Sequence, residues 1–138
     1  MMRKLDQRGA AAFEFCLIAF VLFSMIFAII DFARYALTMQ SLRTLANMSA
    51  RTTSISDCYV TAALNKTTPA CPSDPLTLAQ KQDVAPYLYN NGAAAAPTVS
   101  STVGASAITV TASQDFSMIM PIWGTTLNAP SVTAQIPF

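Results

Sequence analysis

The sequence predicts an α+β protein: a long N-terminal helix carrying a small antiparallel sheet. Three observations predict it. Apolar residues crowd into 10–30 with a single charge among them. The stretch after them repeats apolar residues at three and four, the period of an amphipathic helix. From Thr98 onward the period changes to two in β-branched stretches.

Composition narrows the function before any motif is read. The 138 residues are 53% hydrophobic and 11% charged, against about 25% charged in an ordinary soluble domain. Mean hydropathy is +0.42. The formal net charge of +1 provides no basic face for nucleic acid. The absence of His removes the commonest general base and metal ligand. Three cysteines cannot fill a four-thiolate zinc site. The expectation is a non-enzymatic chain with no cofactor, no metal and no nucleic-acid partner.

Residues 1–9, MMRKLDQRG, carry Arg3, Lys4 and Arg8 against Asp6. Residues 10–30, AAAFEFCLIAFVLFSMIFAII, hold only Glu14 as a formal charge. As a helix they run about 31 Å, matching a hydrocarbon core of about 30 Å. The rest of the chain is too small and polar to enclose such a helix, so 10–30 is read as a transmembrane segment. The basic flank before it keeps the N-terminus cytoplasmic and exports everything after Asp31. An ordinary signal peptide fits poorly. Glu14 interrupts the apolar start, and Ala28 with Ile30 makes a bad small-x-small cleavage pair. Two readings remain at this point: an N-in signal anchor, or a leader cut before the apolar run.

Residues 31–55 read as an amphipathic continuation of the same helix. Phe32, Tyr35 or Ala36, Met39, Leu42, Leu45 or Ala46, and Met48 recur at three or four. No Pro or Gly interrupts 10–55, and the Ser/Thr cluster at 51–56 ends the helix. A helix over 10–53 is about 66 Å long. Asp31 and Arg34, spaced i,i+3, are expected as a surface pair.

Residues 56–138 form the exported head. Residues 57–75 are rich in turn formers and bracketed by Cys58 and Cys71. An exported location favours a disulfide between them, with two free thiols as the alternative. Cys16, in the apolar segment, is read as a small hydrophobe. A short helix is expected near 76–89, interrupted at Pro86, then a linker over 90–97. Strands are expected within 98–104, 107–120 and 131–138. Ile108, Val110 and Ala112 face one way; Thr109 and Thr111 face the other. Gly104 marks a turn; Pro121, Gly124 and Asn128-Ala129-Pro130 mark a longer connection. Three antiparallel strands on one face of the long helix is the economical arrangement. Phe116 and Trp123 are either contact anchors or core fillers.

The spelling RGAAAFEF at 8–15 places Gly9 directly before the apolar run and Glu14 five residues later. It resembles a prepilin signal: a short basic leader, Gly, then an apolar helix with Glu at mature position five. More closely, it is similar to the TadE-like minor pilins (pseudopilins) of tight-adherence, or Flp-type IVb, pili. Ala10 supports that branch, since general secretion pseudopilins usually carry Phe or Met there. The resemblance spans roughly residues 7–55.

That resemblance implies a pilin-like fold and a bacterial inner-membrane location with a periplasmic head, with incorporation into an extracellular pilus as an option. It implies cleavage between Gly9 and Ala10 by a prepilin peptidase, and a role as a structural or priming subunit in pilus assembly. Its partners would be that peptidase, other major and minor pilins, an inner-membrane assembly platform and the lipid bilayer. Physical chemistry agrees with both marked residues. Gly9 lets the backbone approach a peptidase closely. A carboxylate within a bilayer is costly unless paired or near its edge. By the resemblance, Glu14 of one subunit pairs with the new Ala10 ammonium of a neighbour; otherwise Glu14 simply snorkels to the interface. One alternative is an unprocessed single-pass anchor whose periplasmic head binds another envelope protein. An enzyme using a Ser–Lys pair, with Lys66 or Lys81 as base, lacks any suitably spaced nucleophile.

Overall fold

The computed structural model describes residues 7–90, 96–120 and 127–138. It begins with one unbroken helix, α1 (Gln7–Ser54), of 48 residues, about 72 Å at 1.5 Å per residue. The helix ends in a run of hydroxyls that bond back to the preceding turn. Thr52 and Thr53 donate to the Met48 and Ser49 carbonyls at 3.0 Å each, and Ser54 donates to Arg51 at 2.8 Å. Such bonds compete with the helical ladder.

A second helix, α2 (Asp57–Asn65), follows at once. The turn-rich reading of 57–75 is corrected here. Ala62, Ala63 and Leu64 are good helix formers, and turn structure begins only beyond Asn65. Lys66 ends α2 in the left-handed region at φ 55°. The Thr67 amide then donates to the Ala62 carbonyl at 2.9 Å, closing the helix end. Cys58 and Cys71 are bonded to each other. A closed loop of that size contributes about 3 kcal/mol in the chain-entropy picture.

The helix expected near 76–89 exists as two pieces, α3 (Leu78–Val84) and α4 (Pro86–Asn90). Thr77 and Gln80 form a reciprocal capping box at the start of α3. Pro86 breaks the run and opens α4, where its missing amide is no loss.

The sheet is β1 (Thr98–Val103), β2 (Ala107–Ser113) and β3 (Ser131–Pro137), antiparallel in that order. Val99 lies opposite Ala112, and Val110 opposite Ala134. Gly104 closes the first hairpin by donating to the Ala107 carbonyl at 2.8 Å. A Cβ at Gly104 would stand 3.0 Å from that oxygen, a tight contact that favours glycine. β1 is an edge strand, and the 72–73 segment covers part of it. The Ser101 amide donates to Ser73 at 2.8 Å and its hydroxyl to Pro72 at 3.1 Å.

Ile108, Val110 and Ala112 point into the core, with Val99 and Ile136 beside them. They meet Leu42, Leu45 and Ala46 of α1, while Leu76, Ala85 and Leu88 close the edge. The helix stripe is a partial correction. Leu42, Leu45 and Ala46 are buried as expected, but Phe32 is 74% exposed and Met48 39%. Asp31, Thr38, Ser49 and Thr53 are buried instead. Small polar residues let the head approach the helix closely, and most of their hydroxyls are satisfied locally. Thr38 donates to the Arg34 carbonyl at 2.9 Å. Ser49 is the exception: its hydroxyl is buried without a partner among the described residues.

Candidate functional site

Two neighbouring regions of α1 carry the features that the fold itself does not require. The first is the apolar half. Residues 9–30 include no buried residue, and the most apolar window has a mean hydropathy of 2.6. Phe13, Phe15, Phe20 and Phe23 stand between 55% and 73% exposed. This is no core helix, because none of the other described residues covers it. Its length and apolar surface suit membrane anchoring.

Gly9 and Ala10 lie in the first turns of α1 and are exposed. A Cβ at Gly9 would meet nothing within 4 Å. Neither a turn nor a close approach asks for glycine there, although glycine costs a helix about 1 kcal/mol relative to alanine. Glu14 is exposed one turn further along. Among the described residues it has no ion-pair partner. Cys16 is a free, exposed thiol on the same apolar surface.

The second region is the junction between the apolar half and the head. Here Asp31 overturns the expectation of a surface pair. Arg34 does bond it, Nη1 to Oδ1 at 3.3 Å, but Asp31 is only 1% exposed. Its carboxylate also accepts two backbone amides, from Ile119 at 3.0 Å and Met120 at 2.8 Å. Burial alone raises the Asp31 pKa. The Met120 and Ile119 amides and the Arg34 guanidinium outweigh that and hold it below its ordinary value. The surface-pair reading fails because the partner strand leaves the sheet early. β2 stops at Ser113 rather than continuing to residue 120, and the freed segment crosses to α1.

That segment is tied down along its length. The Gln114 amide donates to Pro130 at 3.2 Å and the Phe116 amide to Asn128 at 2.6 Å. The Phe116 ring packs edge-on against Tyr35, centroids 5.7 Å apart, and under the Arg34 guanidinium at 5.3 Å. Phe116 therefore fills an internal contact. Trp123, Pro121 and Gly124 lie outside the described residues. A recess of about 250 Å³ opens at the same level, lined by Asp31, Phe32, Tyr35, Met118 and Leu127.

The two lysines considered as bases are engaged elsewhere. Lys81 is bonded to Asp74, and Lys66 caps α2. No hydrogen bond joins either lysine to a serine among the described residues. Nor does any group of three or more Cys, Asp or Glu among them form a metal cluster. Asp31 could have been noticed in the sequence as the first charge after sixteen uncharged residues. Its two amide partners could not.

No curated protein and no solved structure matches the chain. A family model described as TadE-like protein matches residues 9–51. The match starts at Gly9, takes in the apolar half, Glu14 and Asp31, and stops just before the end of α1; the head lies beyond it. Over residues 9–51 the chain is thus similar to TadE-like protein, the family that the spelling at 8–15 resembles.

Proposed function

We propose that the chain is a minor pilin or pseudopilin, a structural or priming subunit in assembly of a tight-adherence pilus. It is inserted with its N-terminus in the cytoplasm of a bacterial inner membrane and its head in the periplasm. A prepilin peptidase cuts between Gly9 and Ala10. The observation that carries this reading is Gly9, a helix-weakening residue that nothing in the fold requires, at the first position of the family match. Cutting there removes Arg3, Lys4, Asp6 and Arg8 and turns a formal net charge of +1 into −1.

Glu14 supports the same reading. It has no partner within its own chain among the described residues, so a charge in the apolar half awaits one from outside. The Ala10 ammonium of a neighbouring subunit supplies it and sets the axial register of packed helices. Exchange of lipid for helix contacts gains little hydrophobic energy, since lipid tails are as apolar as leucine. Direction must then come from shape, from this pair, and from the assembly platform and its other pilins. The TadE-like family is a structural one, which supports a structural role.

The test is the N-terminal residue and intact mass of the protein from cells with and without prepilin peptidase. Ala10 at the N-terminus only when the peptidase is present supports the proposal. Residues 1–9 retained in both refute processing and leave the unprocessed anchor. In the same cells Glu14→Ala is expected to insert and be cut normally yet fail to enter filaments.

A further inference from the structure

The junction clasp has a geometric consequence. Between Ala10 and Asp31 the helix rises about 32 Å, which spans a hydrocarbon core of about 30 Å. Asp31 therefore stands at its outer edge whenever 10–30 spans a bilayer. Ile119 and Met120 are hydrogen-bonded to that carboxylate at 3.0 and 2.8 Å, so their backbone stands at the same depth. The segment Met118-Ile119-Met120 is wholly apolar. Ile119 is 57% exposed, and Phe32, next along the helix, is 74% exposed.

We propose that residues 118–120, with Phe32, form a second membrane contact that seats the underside of the head in the interfacial layer of the outer leaflet of that membrane. Asp31 is the residue that positions it. The proposal rests on the reading of 10–30 as a membrane span. Three observations identify lipid as the occupant. The patch continues the exposed apolar surface of α1 across Ile30 without a gap in level. Backbone near the hydrocarbon needs internal hydrogen-bond partners, and the Asp31 carboxylate supplies two where water would otherwise have to. Arg34 and Tyr35 lie one turn further out, the side-chain types that suit the headgroup region. A second contact beside the span sets the tilt of α1 and its packed head together, which a single span alone leaves free.

The experiment uses the full chain with Cys16→Ser, its Cys58–Cys71 bond intact, in liposomes of zwitterionic and anionic phospholipid. Single cysteines replace Phe20, Ile119 or Ala105, the last on the exposed turn between β1 and β2. Each carries an environment-sensitive fluorophore. Nitroxide lipids, labelled near the headgroup or deep in the tail, quench from the bilayer; iodide quenches from water. The label at 119 is expected to be quenched by the shallow nitroxide and several-fold less by iodide than the label at 105. Adding Asp31→Ala is expected to return the 119 label to water while the label at 20 stays in lipid. A 119 label that behaves like the 105 label, with the 20 label still in lipid, overturns the proposal and leaves the span intact. That outcome would reserve the patch for another subunit. A 20 label open to iodide overturns the span and the proposal together.

Discussion

Residues 10–30 and residues 31–54 belong to one unbroken helix, yet hydropathy and burial run in opposite directions along it. The first half is nearly all apolar, and none of it is buried by the chain. The second half buries Asp31, Thr38, Ser49 and Thr53 together with Leu42, Leu45 and Ala46. Burial follows the presence of a partner surface, and among the described residues only the second half has one. The apolar half must find its partner elsewhere, in lipid or in neighbouring helices. The polar residues of the second half are tolerated because nearly all their groups are bonded.

The sharpest way to break this comparison is to truncate a leucine in each half. Leu42→Ala is expected to destabilise the head by about 3 kcal/mol, from lost contacts and a residual cavity. Leu22→Ala, at a side chain 54% exposed, is expected to leave the head unchanged. Denaturant unfolding of the detergent-solubilised full chain measures both. Equal losses would mean that the apolar half also supports the head.

Asp31 tests the boundary between the halves. Asp31→Ala leaves two half-buried amides without their acceptor and is expected to cost about 2 kcal/mol. The wild-type contribution also depends on pH. The folded pKa lies below the ordinary 3.8, so the stabilisation is present above that value and is lost as pH falls through the lower folded value. Unfolding followed from neutral pH down past 3.8 should show this loss in the wild type and not in Asp31→Asn. Matching profiles would remove the carboxylate from the account of the junction.

Ser49 carries the smallest effect and the opposite sign. Its buried hydroxyl has no partner among the described residues, so Ser49→Ala is expected to stabilise the head by about 1 kcal/mol. A loss of stability instead would show that the hydroxyl is satisfied in the native protein.

Much of this architecture was legible in the residues. The helix over 10–53, the break at Pro86, and the inward set of Ile108, Val110 and Ala112 all follow from local spacing. α2 escapes a reading by turn formers because Asp57, Thr61 and Asn65 point to turns, although Ala62, Ala63 and Leu64 between them sustain a helix. In the candidate site, Gly9 and Glu14 are visible as spelling alone, because neither is placed by a tertiary contact among the described residues. Asp31 was visible only as half of an i,i+3 pair. Phe116 stands out as an aromatic, but without its contacts.

The sequence by itself determined where the chain is helical, where it alternates, and which stretch cannot rest in water. Those properties depend on residues within a few turns of one another, and a one-dimensional pattern records them. Only the tertiary structure decided which face of α1 is covered, where β2 lets go of the sheet, and that Asp31 is buried. Its amide partners lie 88 and 89 residues away. No periodicity reaches that far, because the cost of burying a charge depends on what the rest of the chain brings to it.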